Sequence, residues 1–354
     1  MKGKIIGIVV LMLVATTVVS ATNINVKENS RMTASSSDIE IKEVNPGNTP
    51  TGSWIVWDNV VGVRGAYGGV IVSQIGIDNS LFEAVADDFK LDTERVVDSL
   101  FWQGGYGYCQ LAEGQKDYDW DWRVVFWNNN DTGMKPGSEI YNKTIPTSEI
   151  TREFWYNYTN PLNGRTFWIA NYSAMLPTPI TFEGDTTYWI TVFATGDYNV
   201  YPWGYWIRHN SSVGGVKLHE AVNKAPFFGY PDWTNLSTWV YDAQPCDMNY
   251  QLFGPQYATG IDIKGGLGVS AVIKNIGAAD LTNVNWSITL DGKLIFIGKT
   301  KSNAIPSIAV GKSVTVKDFI FGFGKTGIAV TTGFATVNTT GTVFLFFVFG
   351  IKGG

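Results

Sequence analysis

Cysteine and histidine are nearly missing from this chain, with two of each in 354 residues. Two cysteines exclude a disulfide-dense scaffold and a zinc site built from cysteines. The two histidines, His209 and His219, match no His-Glu-x-x-His zinc pattern and read as surface residues. A Gly-x-Ser-x-Gly elbow, a P-loop and a dinucleotide fingerprint are likewise absent from the sequence. Charge is scarce at 16%, and 26 Lys+Arg against 31 Asp+Glu leave a net of −5. That excludes a strongly basic nucleic-acid binder. Helical periodicity is missing too, apart from a short stretch around Asp92–Arg95. What the chain has in quantity is glycine, 39 residues, and rings: 14 Trp, 16 Tyr and 20 Phe. Its 45% apolar content excludes a disordered chain.

Met1-Lys2-Gly3-Lys4 precedes an apolar run from Ile5 to Val19, and Val19-Ser20-Ala21 supplies small residues. A basic start, an apolar core and a small-residue exit predict a secretory signal peptide over 1–21, cleaved after Ala21. The alternative is a retained anchor, since Ile5–Ala21 is near the lower limit of about 17 residues for a span. Residues 22–52 are polar and small, and read as a flexible tether. The only other long apolar run, Val343–Phe349, is too short for a membrane helix and is expected to be a buried strand. Export places Cys109 and Cys246 in an oxidising compartment, where one disulfide is expected; two buried thiols are the alternative. Asn-x-Ser/Thr sequons at Asn130, Asn142, Asn157, Asn171, Asn210, Asn235, Asn285 and Asn338 mark a candidate glycoprotein.

Composition changes sharply near Gly254–Tyr257. Thirteen of the fourteen Trp and all sixteen Tyr precede that point or lie within it. Residues 53–257 carry 12 basic and 23 acidic side chains, whereas 258–354 carry 9 and 4. Two domains are therefore expected, 53–257 and 258–354. Their opposite charges predict docking against each other or self-association between molecules. Both read as β. Val124–Trp127, Thr187–Phe193, Tyr205–Arg208 and Met248–Phe253 are rich in β-branched and aromatic residues and bounded by turn formers. The second half alternates in the same way, and Asp291-Gly292 after Val284–Leu290 is a hairpin signal. The fold class expected is all-β: a jelly-roll-like β-sandwich followed by an Ig-like β-sandwich.

In the C-terminal half, the segments Gly265–Gly277, Thr282–Trp286, Leu290–Gly292 and Phe321–Lys325 resemble the archaeal CARDB-like, Ig-like surface modules. In the N-terminal half, Ala86–Leu91, Val97–Tyr106, Trp122–Trp127, Lys135-Pro-Gly137, Tyr188–Val192 and Asp247–Gly254 resemble the β-sandwich of secreted choice-of-anchor surface proteins. The sorting tag usual in that group has no counterpart here. The resemblances imply surface or adhesion roles, and neither carries a catalytic residue onto this chain.

Three local features carry candidate chemistry. In an extended Asp117-Tyr-Asp-Trp-Asp121, Asp117, Asp119 and Asp121 would share one face, and three carboxylates suit calcium, the one cofactor the sequence suggests; a solvated acidic face is the alternative. Tyr201, Trp203, Tyr205 and Trp206 would form a sugar-binding platform if exposed, or core if buried. Glu83, Asp87 and Asp88 are acids of the kind glycoside hydrolysis uses, with Asp87-Asp88 read as a turn leading into a strand. The function expected is an exported, non-catalytic binding or adhesion protein whose partners are surface glycans or other envelope proteins, with no nucleic acid. A glycan-acting hydrolase or lyase and a structural spacer of a surface layer are the alternatives.

Overall fold

A computed structural model describes residues 53–60, 69–75, 81–107, 120–130, 133–159, 166–196, 203–210, 216–238 and 244–351. The described chain is an all-β sandwich protein built from antiparallel sheets, with one short parallel pairing. Its only helices are three single 3-10 turns, and none is long and apolar enough to cross a membrane.

The first strands are β1 (Ser53–Asp58), β2 (Gly69–Val72), β3 (Gln74–Ile75), β4 (Leu81–Lys90) and β5 (Arg95–Gly107). They are followed by β6 (Trp122–Asn129), β7 (Pro136–Ile145), β8 (Ile150–Thr159), β9 (Thr166–Phe182) and β10 (Thr187–Thr195). Then come β11 (Trp203–Asn210), β12 (Val222–Ala225), β13 (Tyr230–Asn235), β14 (Cys246–Met248) and β15 (Tyr250–Pro255). One eight-stranded sheet runs β1-β15-β5-β11-β14, with β2 on β11 and with β9 and β8 beyond β5. A seven-stranded sheet runs β13-β12-β4-β3-β10-β6-β7. A single core joins them: Leu100, Trp102 and Tyr172 from the first sheet pack with Val85, Phe89 and Trp122 from the second. Rings dominate that core. Phe126 and Phe182 meet Phe89 and each other edge to face, Tyr188 meets Phe182 edge to face at 4.7 Å, and Tyr188 stacks on Phe89. Such pairs add about 0.5–1.5 kcal/mol each beyond the area they bury.

The later strands are β16 (Thr259–Lys264), β17 (Gly266–Leu267), β18 (Val269–Asn275), β19 (Leu281–Leu290) and β20 (Ile295–Ile297). The last five are β21 (Thr300–Ile308), β22 (Ser313–Asp318), β23 (Phe321–Thr332), β24 (Thr336–Leu345) and β25 (Phe347–Phe349). A three-stranded sheet, β16-β18-β22, packs on a seven-stranded one, β17-β25-β24-β23-β19-β21 with β20 on β23. Val269, Ala271 and Ile273 show the period of two that a half-buried strand requires. They meet Ile288, Val330 and Val343 in a second core.

No pairing among the described strands joins the residues before Pro255 to those after Thr259. The two sandwiches nevertheless touch. Arg95 Nη1 donates to the Gly277 carbonyl, Val96 N donates to the Ile276 carbonyl at 3.4 Å, and Lys274 Nζ meets Glu94 Oε2 at 2.7 Å. A Cβ on Gly277 would lie 2.6 Å from Ala258 N and 2.7 Å from Gln256 O, so this close turn requires glycine.

Two local expectations are corrected. The run Val343–Phe349 is not one buried strand: Leu345 takes φ 57°, the chain reverses, and only Val343 and Val348 are core while the phenylalanines face out. Asp291-Gly292 does not close a tight hairpin, because β20 pairs with β23 instead of β19. Asp291 Oδ1 accepts from Gly327 N at 2.6 Å, and Gly292 N donates to Thr326 Oγ1, so the turn is tied to β23.

Candidate functional site

The eight-stranded sheet carries a cross-strand row. Arg152 on β8 stands opposite Tyr172 on β9, and Tyr172 stands opposite Trp102 on β5. Opposed residues share a face, so all three side chains lie on the inner side. The Trp102 and Tyr172 rings stack at 5.2 Å with planes 11° apart. Trp122, from β6 of the facing sheet, closes on both, with centroids 5.3 Å from Trp102 and 5.1 Å from Tyr172.

This stack forms part of the wall of a cleft of about 500 Å³ lined by Tyr106, Trp120, Trp122, Thr147, Ser148, Ile150, Arg152 and Tyr172. Thr147 and Ser148 belong to a 3-10 turn, Thr147–Glu149, held by Asp121: Thr147 N donates to Asp121 Oδ1 at 2.8 Å. Arg152 lies over the Trp168 ring, 5.4 Å from its centroid, which keeps the guanidinium beside the aromatic wall. Burial pushes the Tyr172 hydroxyl well above the usual tyrosine range, although the nearby Arg152 charge pulls the other way. Tyr172 is therefore a neutral group at ordinary pH. Among the described lining residues Arg152 is the charged one, Ile150 adds an aliphatic side chain, and the rest offer ring faces or hydroxyls.

A second polar cluster is buried. Glu83 and Asp87 share the inner face of β4 with Val85 and Phe89, and Asp247 comes from β14 of the other sheet. Asn59 Nδ2 and Met248 N both donate to Asp87 Oδ2, at 2.9 and 2.8 Å. Lys217 N donates to Asp247 Oδ2 at 2.9 Å. Desolvation raises all three acids: Glu83 to about 8, Asp247 to about 7, and Asp87 well above the usual range with Asp247 and Asp88 adding repulsion. Asp247 Oδ1 and Asn59 Oδ1 are buried acceptors without a donor among the described residues. A proton on Asp247 would turn one acceptor into a donor. On the outer face of β4, Asp88 pairs with His219 at 2.5 Å beneath Trp189.

These placements revise the expected sites. Trp206 is fully buried and donates its Nε1–H to the Asn249 carbonyl, because β11 lies inside the sheet between β5 and β14. It is no platform residue. Tyr201 and the side chains of Trp203 and Tyr205 lie outside the described residues. Asp87 and Asp88 form no turn; they are buried mid-strand. His209 is not on the surface: it is buried, with Nδ1 2.6 Å from Asn249 Oδ1. Asp121 is exposed and occupied with the Thr147 turn, while Asp117 and Asp119 lie outside the described residues; no group of three potential metal ligands occurs among those described. Among the described residues Cys246 is a free buried thiol, and Cys109, its expected partner, lies outside them. Burial holds the Cys246 thiol up at about 12, against the pull of the Arg208 charge. Of the sequons, Asn142, Asn157, Asn235, Asn285 and Asn338 are exposed, Asn130 and Asn171 are half-buried, and the Asn210 side chain lies outside the described residues. The cleft itself was missed, and its one sequence signal is Trp120-Asp121-Trp122, where rings flank an acid.

No protein-family model matches the chain, and no curated protein matches it either.

Proposed function

We propose that this chain is an exported surface protein that binds a sugar residue in the cleft between β6, β8 and β9, without transforming it. The observation that carries this reading is the lining: four rings, two hydroxyl side chains, one aliphatic side chain and one guanidinium, with no carboxylate among the described lining residues. Ring faces suit the C–H face of a pyranose, hydroxyls exchange hydrogen bonds with its rim, and the arginine favours an anionic substituent. The volume falls within the roughly 300–1,000 Å³ that small-molecule sites occupy. The acids with raised protonation ranges are held by Asn59, Met248, Lys217 and Asn223 inside the sandwich, which supports a structural part for them over acid–base work. Export by the leader, use of the exposed sequons and kinship with choice-of-anchor and CARDB-like proteins belong to the same reading.

A panel of neutral and uronate-containing oligosaccharides, titrated calorimetrically, tests it. Binding should favour an acidic sugar and should fall at least tenfold in Trp120→Ala and in Arg152→Ala. Release of reducing ends from any of these sugars would instead identify a hydrolase or lyase.

A further inference from the structure

One end of the C-terminal sandwich is covered with exposed phenylalanine. Leu267 on β17 stands opposite Phe347 on β25, Phe347 opposite Phe344 on β24, and Phe344 opposite Phe323 on β23. This places four apolar side chains in one row across four strands, on one face. Val343 and Val348, each one residue away, point into the core, so the row points outward. The apolar surface continues round the end of the sandwich: Phe346 packs on Phe319 at 5.2 Å and on Phe321 at 5.1 Å, and Phe321 on Phe296 at 6.0 Å. Phe296, Phe344 and Phe349 are 63%, 58% and 53% exposed. At about 150–250 Å² per ring, the exposed phenylalanines leave roughly 700 Å² of ring surface open, more than the few hundred Å² an ordinary soluble surface shows.

The exposed charge on these segments is mostly basic. Lys293, Lys299, Lys317 and Lys325 lie on the segments that carry the rings, Lys301 follows on β21, and all five are exposed. Between 291 and 325 the carboxylates are Asp291, which is exposed, and Asp318, which is buried. A second copy docking face to face would bring those lysines against each other, which disfavours self-pairing through this end. A surface with an apolar interior and anionic headgroups complements both features at once.

We propose that this phenylalanine end docks on an anionic phospholipid bilayer, with the rings entering the interface and the lysines meeting the phosphates. The contact is peripheral and independent of the ligand in the cleft. It would hold the C-terminal module on the membrane whether or not the leader stays attached.

Hydrogen exchange of the full chain tests this, read by peptide with and without vesicles of mixed phosphatidylcholine and phosphatidylglycerol. Exchange should slow in 293–299, 317–325 and 343–349, less so with pure phosphatidylcholine, and less in high salt. The double variant Phe344→Ser, Phe347→Ser should lower vesicle partitioning about tenfold or more, with its thermal unfolding unchanged because both rings are outside the core. Unchanged exchange in those segments would overturn the proposal, as would slowing confined to residues 1–52. Slowing of the same segments with protein concentration alone would assign the face to a second copy instead.

Discussion

A Cβ on Gly196 would lie 2.4 Å from Cε3 of the Trp120 ring. The absence of a side chain at Gly196 is what lets this tryptophan lie where it does, at the side of the cleft. Gly196→Ala should therefore displace Trp120 and weaken sugar binding by about as much as Trp120→Ala. Calorimetric titration of both variants checks this. Equal affinity in Gly196→Ala and the parent would show that Trp120 does not contribute.

The buried acids set the response to pH. Glu83 rises from 4.5 to about 8, and Asp247 from 3.8 to about 7. Between those limits the folded chain keeps protons that the unfolded chain has released, so stability falls as pH rises. Urea unfolding should give its highest midpoint near the acid end of the window from about 4.5 to about 8 and its lowest above it. Glu83→Gln removes one of the titrating groups and should flatten the slope over the upper part of that window.

At the junction, Arg95 should matter more than the ion pair beside it. Glu94 and Lys274 are each about a third exposed, with side-chain values of 31% and 33%, so their coupling should be no more than about 1 kcal/mol. Arg95 is nearly buried and donates to the Gly277 carbonyl. Its loss leaves that carbonyl without its charged donor, at about 1–3 kcal/mol. Calorimetry of Arg95→Ala should show unfolding separating into two transitions, while Lys274→Ala keeps one.

Cys246 should behave as an inert thiol. With its ionisation held near 12, it should resist alkylation in the folded protein at neutral pH. In denaturant without reductant it should react, and mass spectrometry should place the adduct on Cys246. A reaction that required prior reduction would restore the bridge to Cys109.

Period-two alternation, as in Val269–Asn275, made the all-β class legible, because a strand with one buried face has to write that pattern. What escaped was anything that depends on pairing between distant strands. Tyr106, Trp122, Arg152 and Tyr172 are scattered along the chain, and only the β8–β9–β5 register and the facing sheet bring them together. Trp206 was ambiguous for the same reason: a ring on a strand faces core or solvent according to that strand's neighbours. Asp87-Asp88 looked like a turn because charge ordinarily stays in water. At Asp87, inside the sandwich, protonation and the bonds donated by Asn59, Met248 N and Asp88 N replace that water, and on the outer face of β4 His219 covers Asp88. In Val343–Phe349, seven apolar residues signalled burial, but a single left-handed Leu345 reverses the chain and turns the rings outward.

Pro255 and Thr259 end and begin neighbouring sandwiches with only Gln256, Tyr257 and Ala258 between them, and Tyr257 is itself packed on Phe334. So short a connector leaves no slack. If the cleft holds a tethered glycan while the phenylalanine end grips a bilayer, tension would run straight through the Arg95–Gly277 contact, and that contact would decide at what pull the two sandwiches part.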